Sequence, residues 1–226
     1  MKTVNLMLRI SVIWMLLFSS GIALAQNFGG PDAPDNLIED DARTKPATIT
    51  KRATQGWFDW KKKVQDEHGF SIGLDYTALN LTSNEKGASG EDNAASGMIR
   101  VFGSWDLVGR GTKNTGALVY KLENRHSYTD ISPQAFGFDQ GYVGLIEPPF
   151  SDQGTRWTNL YWRQRLNEGK ATIAAGMLDV TDFVNVYALA SPWTGFMNFA
   201  FSTGSAAVFI PNDAAFGIAG GAMLSE

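Results

Sequence analysis

From Phe70 onward, apolar and polar residues alternate with a period of two, the repeat that places successive side chains on opposite faces of a strand. Between Phe70 and Leu79 one face carries Phe70, Ile72, Leu74, Tyr76 and Ala78, and the other carries Ser71, Gly73, Asp75 and Thr77. Met98 to Val108 sets Ile99, Val101, Trp105 and Leu107 against Arg100, Ser104 and Asp106, with Phe102 out of phase. In Gly116 to His126, Leu118, Tyr120 and Leu122 oppose Lys121, Glu123 and Arg125. In Arg156 to Leu166, Leu160, Trp162 and Leu166 oppose Tyr161, Arg163 and Arg165. Trp157 is in phase with Arg163 rather than with Trp162, so a bulge or a loop position is expected there. Lys170 to Asp179 and Asp213 to Leu224, rich in Ala and Gly, alternate more weakly. The pattern predicts an all-β chain with six strands.

Ahead of the strands the period changes. Trp57, Trp60, Lys61 and Val64 fall at helical spacing, Thr54 is placed to cap the start and Gly69 to stop the end, which predicts a short amphipathic helix over 56–68. Residues 26–55, with Pro31, Pro34 and Pro46 among Asp, Thr and Lys, show no sustained period and read as an extended leader without a fold of its own. At the start, Lys2, Arg9, the apolar run from Ile10 to Phe18, and Ala23-Leu24-Ala25 before Gln26 have the layout of a signal peptide over 1–25.

The connections between strands narrow the architecture. Residues 80–97, 127–155 and 180–212 are long loops, whereas 109–115 and the Asn-Glu-Gly turn at 167–169 are short, so long and short alternate strictly. A transmembrane barrel produces that asymmetry, with short turns on the periplasmic side and long loops outside. Under that reading the strand at Phe70 runs outward. A secreted β-sandwich with loops clustered at one end stays open as the second architecture. The two assign the polar faces differently. In a sandwich, Asp75, Arg100, Asp106, Lys121, Glu123, Arg125, Arg163 and Arg165 are solvated outer positions. In a barrel they line the lumen, and Phe70, Tyr76, Trp105, Tyr120, Trp157 and Trp162 populate a lipid face with aromatic girdles.

Composition removes several functions. The 226 residues carry a net charge of −4, and removal of the signal takes two basic and no acidic residues, so general nucleic-acid binding through Lys and Arg is not expected. With no cysteine, disulfides, iron–sulfur clusters and thiol nucleophiles are excluded. After the signal, charges or glycines interrupt every apolar run well short of the ~18 residues of a spanning helix. His68 and His126 are the only histidines, and there is no nucleophile elbow or phosphate-cradling loop, so no enzyme, cofactor or metal is expected. His126 beside Ser127 suggests a hydrolase only until the strand period is applied, which sends the two side chains to opposite faces.

Several stretches together resemble the carbohydrate-selective porin family of OprB type. They are Gly69-Phe70-Ser71-Ile72-Gly73-Leu74-Asp75-Tyr76-Thr77-Ala78, Gly103-Ser104-Trp105-Asp106-Leu107, Leu160-Tyr161-Trp162-Arg163-Gln164-Arg165-Leu166 with Gly169-Lys170, Ala175-Gly176-Met177-Leu178-Asp179, and Phe196-Met197-Asn198-Phe199-Ala200-Phe201 with Pro211. The resemblance covers roughly 56–226. It implies a transmembrane antiparallel barrel in a Gram-negative outer membrane, with on the order of sixteen strands, through which small sugars diffuse passively. Six strands fall short of that number, so 69–226 is expected to be the first part of a barrel, preceded by a periplasmic helix.

By face parity and by this resemblance, Arg100, Lys121, Glu123, Arg125, Arg163 and Arg165 are candidates for the channel wall. The arginine fork can bond two neighbouring hydroxyls, the carboxylates of Glu123 and Asp106 accept from the same groups, and Tyr161 offers a ring to a pyranose face. The loop over 180–212 is unusually apolar, and Trp193, Phe196 and Phe199 are expected either to fold inward as part of a constriction or to form a lid packed against neighbouring subunits. Expected partners are small carbohydrates and outer-membrane lipid. Porins are often homotrimers, although no interface is legible here.

Overall fold

A computed structural model describes residues 29–30, 32–43, 51–143, 149–183, 198 and 214–223. The signal peptide expected over 1–25 and the loop residues Trp193, Phe196 and Phe199, expected in a constriction or a lid, lie outside the described residues. Six strands form one antiparallel sheet in strict sequence order: β1 (Phe70–Thr82), β2 (Asn93–Val108), β3 (Gly116–Ser127), β4 (Gly154–Leu166), β5 (Ala171–Asp179) and β6 (Ala214–Ala222). All six predicted strands are present. The first four extend beyond, or start ahead of, their most sharply alternating cores, because backbone pairing continues into the polar ends that carry no periodic signal.

The register aligns the outward residues in rows. Phe70 faces Trp105, Trp105 faces Leu118, and Leu118 faces Trp162. Between β3 and β4 the pairing steps from Lys121–Asn159 to Leu122–Trp157, leaving Thr158 as the extra residue of a bulge. That bulge returns Trp157 to the outward face. Phe102 is not a break in β2. It lies on the same buried face as Arg100, and its ring occupies the space left by Gly73, where an added Cβ would meet Phe102 Cε2 at 2.2 Å. Gly73→Ala is therefore expected to destabilise the sheet by about 1–3 kcal/mol through overpacking. Phe102→Leu in the same chain should recover most of that loss, measured by denaturant midpoint.

The burial of the two faces is inverted relative to a water-soluble sheet. Leu74, Tyr76, Ile99, Trp105, Leu107, Trp157, Leu160 and Ile173 are exposed, and Phe216 is 84% exposed. Ser71, Ser96, Arg100, Ser104, Lys121, Glu123, Arg125 and Arg163 are buried on the other face. A small apolar cluster of Val119, Tyr161, Ala174 and Leu178 shares that buried face.

Among the described residues, three α-helices flank the sheet. The leader is not featureless: α1 (Pro34–Arg43) packs against β1, β2 and β3. Pro34 opens it, where a missing N–H goes unused. What holds it is long-range ion pairing with the sheet, which local periodicity does not record. The second helix, α2, spans Lys51–His68 rather than 56–68, so Thr54 lies inside it and does not cap it. Its end is as expected. Gly69 takes φ 68° and donates its N–H to the Gln65 carbonyl at 2.9 Å. Trp105 Nε1 donates to the His68 carbonyl and Arg110 to that of Glu67, so β2 and its turn satisfy the last carbonyls. The third helix, α3 (Pro133–Asp139), interrupts the expected loop 127–155, capped by Ser132, whose Oγ accepts from Ala135 N.

Candidate functional site

The inward face of the sheet carries a ladder of charges, and a strap made of Gly29, Gly30 and Asp32 to Arg43 lies across it. At the β1–β2 edge, Arg100 donates to both oxygens of Asp75, at 2.7 and 2.9 Å, and reaches Asp32 of the strap at 3.5 Å. One strand over, Lys121 donates to the backbone carbonyl of Asp32 at 3.1 Å. Its ammonium also lies 3.5 Å from Asp182, which closes a single 3-10 turn (Val180–Asp182) after β5. Asn159 donates to the same Asp182 oxygen at 2.7 Å. Burial pushes the Asp182 carboxyl well above the usual carboxylate range, against the pull of Lys121. Further along β3, Arg125 grips Glu123 at 2.6 and 3.0 Å, two residues apart on one face.

On β4, Arg163 pairs with Asp35 of α1 and lies 3.5 Å from Asp106. Arg165 is 3.8 Å from the second oxygen of Asp35. The strap is anchored by backbone as well: Gly30 N–H donates to the Asp182 carbonyl at 2.5 Å, and Asn36 Nδ2 donates to the carbonyl of Gly30 at 2.7 Å. Lys61 of α2 pairs with Asp41 of α1, tying the two helices together.

The structure thus brings all eight predicted wall residues onto one face, as parity required. It also corrects what they meet. Arg100, Lys121, Glu123, Arg125, Tyr161 and Arg163 are each 5% exposed or less, because they pair with one another, with the strap or with Asp182, or, for Tyr161, pack edge-on against Phe183. Of the eight, only Asp106 and Arg165 are partly exposed. A comparison with family models, curated proteins and solved structures finds no match.

The partners that sequence reasoning missed are Asp32, Asp35, Asn159 and Asp182. Asp35 had one signal, an acid just inside a helix that Pro opens, where the dipole favours a carboxylate. Asp182 had none, since its partner Lys121 is remote in sequence.

The outward face is organised differently. Phe70 stacks on Tyr120 with ring centroids 5.9 Å apart and meets Trp105 edge-on at 6.3 Å, near the short-turn end. Near the long-loop end, Tyr76 stacks on His126, and His126 meets Tyr128 edge-on. His126 therefore belongs to an aromatic cluster, hydrogen-bonded to Tyr76 and Asn124. Ser127 instead donates to the Thr129 carbonyl. The two do not share a site.

Proposed function

We propose that this sheet is part of the wall of an outer-membrane β-barrel, through which small carbohydrates diffuse passively. The observation that carries the reading is the inversion of burial, with an apolar, aromatic-edged face outside and a charged, hydrogen-bonding face inside. Water penalises such an outer surface, and a hydrocarbon environment favours it. Along β2 the apolar row from Leu107 to Ile99 spans about 26 Å at ~3.3 Å per residue, or about 20 Å in height at a tilt of ~40°. That is the scale of the apolar band of such barrels, about 25 Å. A sandwich would instead need a second sheet over Leu74, Trp105 and Leu160.

With the strap docked, the inner face offers sugar hydroxyls the partly exposed carboxylate of Asp106 and fork of Arg165, a sparse set suited to weak contacts. The strap narrows the lumen along this wall. The test is cell fractionation followed by liposome swelling. The chain is expected to sediment with outer membrane and to shift on gels when heated. Vesicles containing it should swell faster in small sugars than in non-sugars of equal size. Recovery in a soluble fraction, or equal rates for both solute classes, would overturn the barrel and the selectivity respectively.

A further inference from the structure

Most cations of the inner face have a carboxylate from the sheet or from the turn after β5: Arg100 has Asp75, Arg125 has Glu123 and Lys121 has Asp182. Arg163 lies 3.5 Å from Asp106 of β2, but its closest carboxylate, and the one nearest Arg165, comes from outside the sheet. The two arginines are two residues apart on one face of β4, and they share the carboxylate of Asp35, which arrives on the strap. The fit is incomplete, because Arg163 is 4% exposed and its Nε has no hydrogen-bond partner, nor has Asp35 Oδ2. A guanidinium presents parallel donors that match the two oxygens of a carboxylate, but Asp35 engages Nη1 alone, Asp106 reaches Nη2 only at 3.5 Å, and Nε is left over.

A second observation points the same way. An open cleft of about 650 Å³ lies at the short-turn end, bounded by Gly29 of the strap and lined by Lys113, Arg165 and Lys170, with Glu168 as its one acid. The half-exposed Arg165 joins this cationic cleft to the buried Arg163.

We propose that Arg163 and Arg165 form a binding site for a small sugar acid, a carbohydrate bearing one carboxylate, and that Asp35 is its built-in competitor. A free sugar carboxylate enters the cleft past Lys113 and Lys170, takes both donors of the Arg163 fork, and releases Asp35 and the strap. The carboxylate of Asp35 is the stand-in that identifies the charged group. The assignment rests on the pore reading only in placing the cleft on a solute path.

The full chain in detergent is titrated by calorimetry with glucuronate, glucose and inorganic phosphate. Asp35→Asn is expected to bind glucuronate about tenfold or more tightly than the wild type, since a tethered competitor at millimolar effective concentration is gone. Asp35→Asn with Arg163→Gln should lose that gain, and glucose should respond to neither change. In the unmodified chain, saturating glucuronate should speed amide exchange over Ala33 to Arg43, a readout that needs no variant to fold. Affinities within twofold in wild type and Asp35→Asn, together with unchanged exchange in the strap, would overturn the proposal. Phosphate binding as tightly as glucuronate would overturn the sugar-acid assignment. Glucose-driven swelling with no glucuronate binding removes this site and leaves the pore. Binding without swelling does the reverse.

Discussion

Glu123→Gln is expected to cost about 3–5 kcal/mol of stability, the range for breaking a buried ion pair from one side. Glu123 and Arg125 are each about 5% exposed, and Lys121 and Arg100 lie on the same face. Neutralising Glu123 leaves the guanidinium of Arg125 buried without its anion, next to two further cations. Because most of the loss is an uncompensated charge rather than a lost contact, removing both partners should hurt less. The double variant Glu123→Gln with Arg125→Gln is expected to regain at least half of the stability. Urea unfolding of the three variants and the wild type closes the cycle. A double variant as unstable as the sum of the singles would mean that the pair contributes through shape, not charge.

Leu160→Arg separates the membrane reading from every aqueous one. Leu160 faces outward, pairs in register with Tyr120, and lies on β4 between Trp157 and Trp162. In a bilayer, an arginine at that depth is expected to cost about 2–4 kcal/mol and to abolish the heat-shifted gel band. In water, the same substitution on an exposed strand position should fall within about 0.5 kcal/mol. Folding titrations in vesicles and in detergent-free buffer read the difference directly. A neutral result in vesicles would sink the lipid-facing assignment.

What the sequence made legible was which residues share a face. Alternation assigns Arg100, Lys121 and Arg163 to one side and Trp105, Leu118 and Trp162 to the other, and the register confirms it. Alternation is symmetric, however, and does not say which side is buried, so burial of the charged side required the structure. The strap stayed hidden for a related reason. Its helix, Pro34–Arg43, is polar and short of apolar positions, and it is held by Asp32 and Asp35 pairing with cations far along the chain. Phe102 looked out of place because its cavity is made by an absent side chain, at Gly73 on the neighbouring strand. Thr54 looked like a cap because Trp57, Trp60 and Val64 supply the visible period, whereas the helix starts earlier, at Lys51.

The strict meander has a bearing on how the chain assembles. Each strand finds its neighbour in the segment just before it, so β1 to β3 can zip together before the rest of the sheet exists. The strap precedes every strand in sequence, yet its last anchor, the Asp182 carbonyl that accepts from Gly30 N–H, is not in place until β5 has joined. A segment that emerges before the sheet is thus among the last to settle. Until then Asp32 and Asp35 remain hydrated, and the arginine ladder fills with water and ions that the docking strap must expel.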